Sequence, residues 1–243
     1  MVILHKYTAA WGLPDISPFC SKLEIYLRMA GWAYQTRQGD PRKAPKAKLP
    51  YIEHEGRTVC DSSDIIRYLE ARSDHPLGQP LDLGLSASDS AVATAMQSMI
   101  EEHFYYVLAW RRWADPAGWA VYKPVMHESI IAAGAPRFAA GLVTWLVRKD
   151  VLKAMHSQGT GRHSPDEINA IGVKHITALA DWMGDKPYML GEQPRTLDAT
   201  VYAFLIGVLD APIEGPVKAC LQNKANLVAY CARMKARYWT AVR

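Results

Sequence analysis

Over residues 1–76 the apolar positions come in short runs separated by stretches that are apolar on one side only, the texture of alternating strands and helices. Val2–Tyr7 reads as a buried strand, and Thr8–Ser17, with Gly12 and Pro14, as a loop. Pro18 suits the first turn of a helix, where its missing N–H costs nothing. Phe19, Cys20, Leu23, Leu27 and Ala30 then give that helix one apolar face before Gly31 ends it. Tyr34–Gln38 reads as the next strand. After the basic link Gly39–Lys48, the segments Tyr51–His54 and Thr58–Asp61 read as strands joined by a tight turn at Glu55-Gly56. Ser62 opens a helix with Ile65, Ile66 and Leu69 on one side.

The order is β-α-β followed by β-β-α, a thioredoxin-like pattern in which the first crossover is right-handed. The breaker-rich linker Ser73–Pro80 ends this unit, and the pattern beyond it is helical. Ala91–Trp113 carries Val92, Met96, Met99, Ile100, Phe104 and Val107 at helical spacing, and Pro136–Met155 reads as a second long helix. Ser164-Pro-Asp-Glu167 has the form of a capping box with proline at the first helical position, followed by a stripe of Ile168, Ile176, Leu179 and Met183. Asp198–Leu209 and Asn226–Trp239 complete a bundle. The fold expected is therefore an α/β thioredoxin-like domain over residues 1–76 and an all-α helical bundle over residues 87–243.

Composition removes several classes. With 49% hydrophobic and 21% charged residues, the chain is an ordinary globular one. A net charge of +4, without a basic stripe interleaved with aromatics, gives no ground for a nucleic-acid partner. The apolar run Phe138–Val147 is about half the ~20 residues a membrane span needs, so a buried helix is expected there and no membrane insertion. Met1–Tyr7 lacks the features of a signal peptide. The four cysteines, Cys20, Cys60, Cys220 and Cys231, form no C-x-x-C pair, and the eight histidines show no ligand spacing. A cytoplasmic protein with free thiols and no metal is the expectation.

Three places can carry chemistry. Ser17 lies at the mouth of the first helix, where free N–H groups and the helix dipole favour an anion. It is either a plain helix cap or a hydroxyl donor to a thiolate, and the two roles are compatible. Leu49-Pro50 precedes the third strand. An ordinary trans turn proline is one reading; a cis bond that turns the Leu49 backbone outward, to pair with an extended peptide, is the other. Asp61-Ser62 opens a helix, either as a cap alone or as acceptor and donor for an α-ammonium and a carboxylate. On the helical side His103, Phe104, Tyr105, Tyr106, Trp110 and Trp113 crowd one segment that cannot point all six at one ligand. Cys20, one turn into the first helix, reads either as a thiol of lowered pKa or as a buried one.

Lys48-Leu-Pro-Tyr-Ile52, Gly56 and Cys60-Asp-Ser-Ser-Asp-Ile-Ile-Arg-Tyr-Leu69 resemble the glutathione-binding stretch of glutathione transferases. Ser17-Pro18-Phe19 resembles the active-site start of their serine- and cysteine-type classes, and Leu190-Gly-Glu-Gln-Pro194 with Leu197-Asp-Ala199 their buried helix entrance. Ser17–Arg28, Ala44–Pro50 and Gly159–Glu167 are similar to the failed axon connections and metaxin-like branch. The resemblance implies glutathione as co-substrate, held by Ser17, Lys48, Leu49, Pro50, Asp61 and Ser62. It implies Ser17 as the catalytic, thiolate-stabilising residue, with Tyr7 as rival donor because the Thr8–Ser17 loop looks long. It further implies a small hydrophobic electrophile between the domains and a homodimer, or, on the metaxin-like side, a non-catalytic binding protein. At the buried helix entrance Arg195 stands where the family has a cap and cannot accept a hydrogen bond, which leaves Thr196 as substitute.

Overall fold

The computed structural model describes residues 1–239; residues 240–243 of the expected 87–243 unit lie outside that range. Four strands, β1 (Val2–Lys6), β2 (Tyr34–Gln38), β3 (Tyr51–His54) and β4 (Arg57–Cys60), form one sheet in the order β2-β1-β3-β4. β1 runs parallel to β2, with Val2 opposite Tyr34, and antiparallel to β3, with Leu4 opposite Ile52. The β3–β4 hairpin turns through Glu55 and Gly56 at φ 50° and 75°, the pair of left-handed residues a two-residue hairpin of this hand needs. The last strand ends one residue earlier than its hydrophobic pattern predicts. Asp61 leaves it at φ 78° and lays its carboxylate on the Ser63 N–H at 3.0 Å, capping α2 (Ser62–Glu70).

α1 (Pro18–Met29) departs from the one-sided helix expected. It is enclosed almost all round, because α8 (Thr196–Leu209) from the helical half packs along it. Val2, Leu4 and Ile52 of the sheet, Leu23 and Leu27 of α1, and Phe204 and Leu205 of α8 belong to one continuous core. Polar side chains caught in that enclosure are paired, as burial demands. Glu24 takes Lys6 at 2.5 Å and the Tyr34 hydroxyl at 3.1 Å, and the Tyr26 hydroxyl donates to Glu70 at 2.7 Å.

The helical half comprises α3 (Ala87–Ser98), α4 (Tyr105–Trp113), α5 (Pro116–Ala132), α6 (Arg137–Gln158), α7 (Pro165–Met183), α8, α9 (Pro216–Gln222) and α10 (Ala225–Tyr238). The single helix expected over 91–113 is two, joined by a π-helical turn at Met99–Phe104. α5 and α9 have no counterpart in the hydrophobic pattern. Pro116, Gly118 and Pro124 make the α5 segment look broken, yet the helix runs through Pro124, and the first two have a place. Pro116 sits at the helix start, and Asp115 caps the Gly118 N–H at 2.7 Å. A Cβ at Gly118 would stand 1.7 Å from the Arg111 carbonyl oxygen, so only glycine fits. Tyr122, Met126 and Ser129 then face inward at helical spacing. The capping box at Ser164 forms as its spacing predicts, Ser164 N–H donating to Glu167 at 2.8 Å.

The cap of α8 comes from another part of the chain. Asp82, in the connection between α2 and α3, accepts the Thr196 N–H at 2.9 Å and the Thr196 hydroxyl at 2.5 Å. Arg195 reciprocates by donating to the carbonyls of Leu81 and Leu83 at 2.6 and 2.8 Å. Thr196 is thus the capped residue and not the cap. Asp82→Ala is expected to lower stability by about 1–2 kcal/mol, the scale of a lost N-cap, read from urea denaturation; an unchanged midpoint would remove Asp82 from this role.

Candidate active site

A cleft of about 1530 Å³ runs between the two halves. Tyr7, Ser17, Lys48, Leu49, Pro50, Asp61 and Ser62 all line it, so every residue singled out from the sequence for glutathione stands on one wall. Glu101, Tyr105, Tyr106, Arg112, Trp113 and Tyr122 stand on the other.

Ser17 is the N-cap of α1, its Oγ accepting from the Cys20 N–H over a long 3.5 Å. The loop that leads to it is fixed from several sides. Lys6 donates to the Pro14 carbonyl at 2.6 Å, the Ile16 N–H to Thr8 at 3.0 Å, and the Ser21 hydroxyl to Asp15 at 3.0 Å. Arg112, buried in α4, reaches across to the Ile16 carbonyl at 2.7 Å and, through its other terminal nitrogen, to the Gly207 carbonyl of α8 at 3.0 Å. Asp15 accepts the Ser17 N–H at 2.8 Å and is itself 1% exposed. Burial pushes the Asp15 carboxyl up to about 8, against the pull of that N–H and of Lys6. Cys20 is wholly enclosed and burial drives its thiol well above the ordinary range, so the buried reading of this residue holds. Tyr7 also faces the cleft, its hydroxyl kept protonated by burial.

The far end of the wall carries the charges. Asp61 is engaged by Lys48 at 2.9 Å as well as by its capping bond, and Lys46 lies on Asp64 at 2.8 Å. A second group, which the sequence analysis did not single out, lies behind them. Lys22, 1% exposed, points from α1 to the Ser63 hydroxyl at 2.8 Å and to Glu101 at 2.6 Å. Gln97 donates to Ser63 at 2.8 Å and Thr200 to Glu101 at 3.2 Å. Burial pulls the Lys22 ammonium below its usual range and Glu101 raises it again. The signal was present in the sequence: a lysine inside the apolar run of α1 and paired glutamates inside that of the 91–113 segment both demand partners once buried.

The opposite wall is aromatic. Of the six crowded residues, Tyr105, Tyr106 and Trp113 line the cleft, while Phe104 is core and His103 packs on His175 with ring centroids 4.8 Å apart. Gln97, Glu101, Tyr105 and Ala109 face the cleft at four-residue steps. An α-helix overshoots a full turn by about 40° in four residues, so such a stripe drifts round the cylinder. The π turn at Met99–Phe104 takes more residues per turn and brings it back. Among the described residues no group of three or more His, Cys, Asp or Glu is placed to hold a metal ion.

The Leu49–Pro50 peptide bond is cis, in line with the second of the two readings. Sequence models of the glutathione S-transferase N-terminal and C-terminal domains match residues 18–118 and 172–234. A relative described as isoprene-epoxide–glutathione S-transferase, from Rhodococcus sp. (strain AD45), is 34% identical over 98% of this chain and 99% of its own length. The chain belongs to the glutathione S-transferase family.

Within the glutathione S-transferase family it also resembles Failed axon connections of Drosophila melanogaster, 28% identical over 97% of this chain and 57% of that protein. The fold matches a solved glutathione S-transferase from Rhodospirillum rubrum F11, with TM-score 0.60 and 16% identity over 97% of this chain and 88% of that one. These matches agree with a thioredoxin-like N-terminal unit and a helical C-terminal unit, and with a place near the metaxin-like branch.

Two outcomes are expected from the buried ionisable groups of this glutathione S-transferase. Glu101→Gln leaves Lys22 buried without its counter-ion, and a loss of about 3 kcal/mol of stability should result; a urea midpoint like that of the parent would show the pair to be dispensable. Asp15 has a raised folded pKa, so the folded protein retains a proton that the unfolded chain gives up from about 4 upward. Its contribution is complete below that value and is lost as pH rises towards about 8. Stability should therefore fall between about pH 5 and pH 8, and Asp15→Asn should flatten that slope; equal slopes in parent and variant would exclude Asp15 as its source.

Proposed function

We propose that the chain is an active glutathione transferase that joins the glutathione thiolate to a small hydrophobic electrophile, with epoxides the first class to try. The observation that carries this is the position of Ser17: its hydroxyl caps α1 on the charged wall, across from an aromatic and apolar one. The name of the Rhodococcus relative supports the epoxide class. In this reading the γ-glutamyl end lies at Asp61 and Ser62, where the α2 N-terminus and Lys22 offer positive potential to a carboxylate. The cysteinyl backbone pairs with Leu49, and the sulfur meets Ser17.

Ser17 acts as a donor. A serine hydroxyl does not take a proton from a thiol at neutral pH, and a covalent serine intermediate has no place in thiol addition. Because Ser17 Oγ serves α1 only as an acceptor, its own hydrogen is free for a thiolate. One hydrogen bond to a charged acceptor gives about 1.5–3 kcal/mol, and each unit of thiol pKa is about 1.4 kcal/mol. The bond and the helix field together account for a depression of about one to two units.

Ser17→Ala is expected to raise the pKa of bound glutathione by about one to two units and slow turnover, with little change in glutathione affinity. Thiolate absorbance against pH, beside calorimetric titration with glutathione, reads both. Movement in Tyr7→Phe and none in Ser17→Ala would transfer the donor role to Tyr7. Glutathione binding without consumption of any electrophile would favour the non-catalytic, metaxin-like reading.

A further inference from the structure

Between α4, α7, α8 and α9 lies a second, much smaller pocket of about 40 Å³, which the transferase reading does not use. That volume holds an occupant somewhat larger than one water molecule, for which about 10–15 Å³ suffices. Its wall is largely apolar, but three cationic residues stand on it: Arg111, Arg112 and Lys218. Two of them are matched. Arg111 pairs with Asp115 at 3.0 Å, and Lys218 with Glu214 at 2.7 Å. The third is not. Arg112 is 5% exposed, its terminal nitrogens are bonded to the Ile16 and Gly207 carbonyls, and among the described residues no carboxylate pairs with it. The acid whose charge it feels is Asp15, and burial keeps that group neutral up to about pH 8. A guanidinium does not shed its proton, so three cations against two carboxylates leave one buried positive charge without a counter-ion.

Unused donors mark the same pocket. The Arg111 Nε–H is buried and has no hydrogen-bond partner among the described residues. Its guanidinium lies against Gly215, which also lines the pocket. A Cβ on Gly215 would stand 2.9 Å from Arg111 Nη2 and 3.1 Å from Nε, so glycine is what lets the group lie there. The Lys218 ammonium spends two of its three hydrogens on the Ala211 carbonyl and Glu214, which leaves one.

We propose that this pocket binds one small monovalent anion of the halide class, chloride or bromide, held by Arg111 and Lys218 and serving as counter-ion to Arg112. A single surplus charge calls for a monovalent ion, and the volume has no room for an organic carboxylate or a phosphate. The wall is built from side chains such as Val107, Leu108, Ile213 and Val217, which cannot replace a tight hydration shell. The site therefore favours an ion that gives up its water cheaply, and fluoride fits it worse than chloride or bromide. This inference stands apart from the transferase reading. It does bear on the cleft, because Arg112 also holds the carbonyl that precedes Ser17.

The test replaces sodium gluconate, whose anion is too large for the pocket, with sodium chloride at constant ionic strength, which holds charge screening fixed. It follows the urea midpoint of the parent, Arg111→Met and Lys218→Met. An ion bound by the folded chain alone stabilises it by mass action. The folded-to-unfolded ratio of the parent should therefore rise about tenfold once chloride reaches about ten times its dissociation constant. Bromide should act at the same or a lower concentration, and fluoride at a higher one. Each variant removes one charged donor and should need about tenfold more chloride for the same rise. An equal response in all three proteins is a general salt effect and overturns the site, as does a parent that does not respond. Crystals of the parent grown in sodium bromide give a second reading that needs no variant. An anomalous bromine peak between Arg111 and Lys218 is expected; water or empty density there overturns the proposal.

Discussion

A lysine ammonium buried in the first turns of α1 sets the terms for the cleft. Lys22 cannot be charged where it lies without a counter-ion, and the counter-ion, Glu101, comes from the helical half. Pairing them brings the two halves to a defined separation and fixes the rotation of the helix that carries Glu101. Ser63, Gln97 and Thr200 complete the hydrogen bonds of the pair, so α1, α2, α3 and α8 all meet at one polar knot in an otherwise apolar core. The same ammonium reaches the N-terminal turn of α2 through the Ser63 hydroxyl.

Arg112 does for the Ser17 end of the cleft what Lys22 does for the charged end. It ties the carbonyl that immediately precedes Ser17 to a helix of the other half. The loop before α1 therefore does not position Ser17 alone, whatever its length; the helical half contributes to the placement. Both ties are made of charged side chains bonding across the cleft. Their geometry is directional, and this gives a wide cleft defined walls without filling it.

Much of this organisation was legible in the chain. Strand and helix order, the hairpin at Glu55-Gly56, the capping box at Ser164 and the residues of the charged wall come from periodicity, turn chemistry and recognisable motifs. The parts that were not legible have physical reasons. α5 hides behind Pro116, Gly118 and Pro124, which read as breakers until the close approach to the Arg111 carbonyl explains the glycine. The partner of Thr196 is Asp82, more than a hundred residues away, and no local rule finds a cap supplied at that distance. Lys22 and Glu101 were visible as polar residues in apolar runs, but pairing them requires the docking of one half on the other. Arg112 was lost among the aromatics that surround it.

The π turn at Met99–Phe104 makes one stretch of the chain tolerant of a change in length. A π turn holds one residue more than the α-helical turn it replaces, so deleting one residue there would restore ordinary helical bonding and leave α4 in nearly its present rotation relative to α3. A deletion inside α3 or α4 would instead turn everything beyond it by about 100°. Among chains of this family, a single-residue gap placed in this segment therefore keeps the residues on either side paired with their counterparts, and an alignment that moves the gap into either flanking helix would pair residues from different faces.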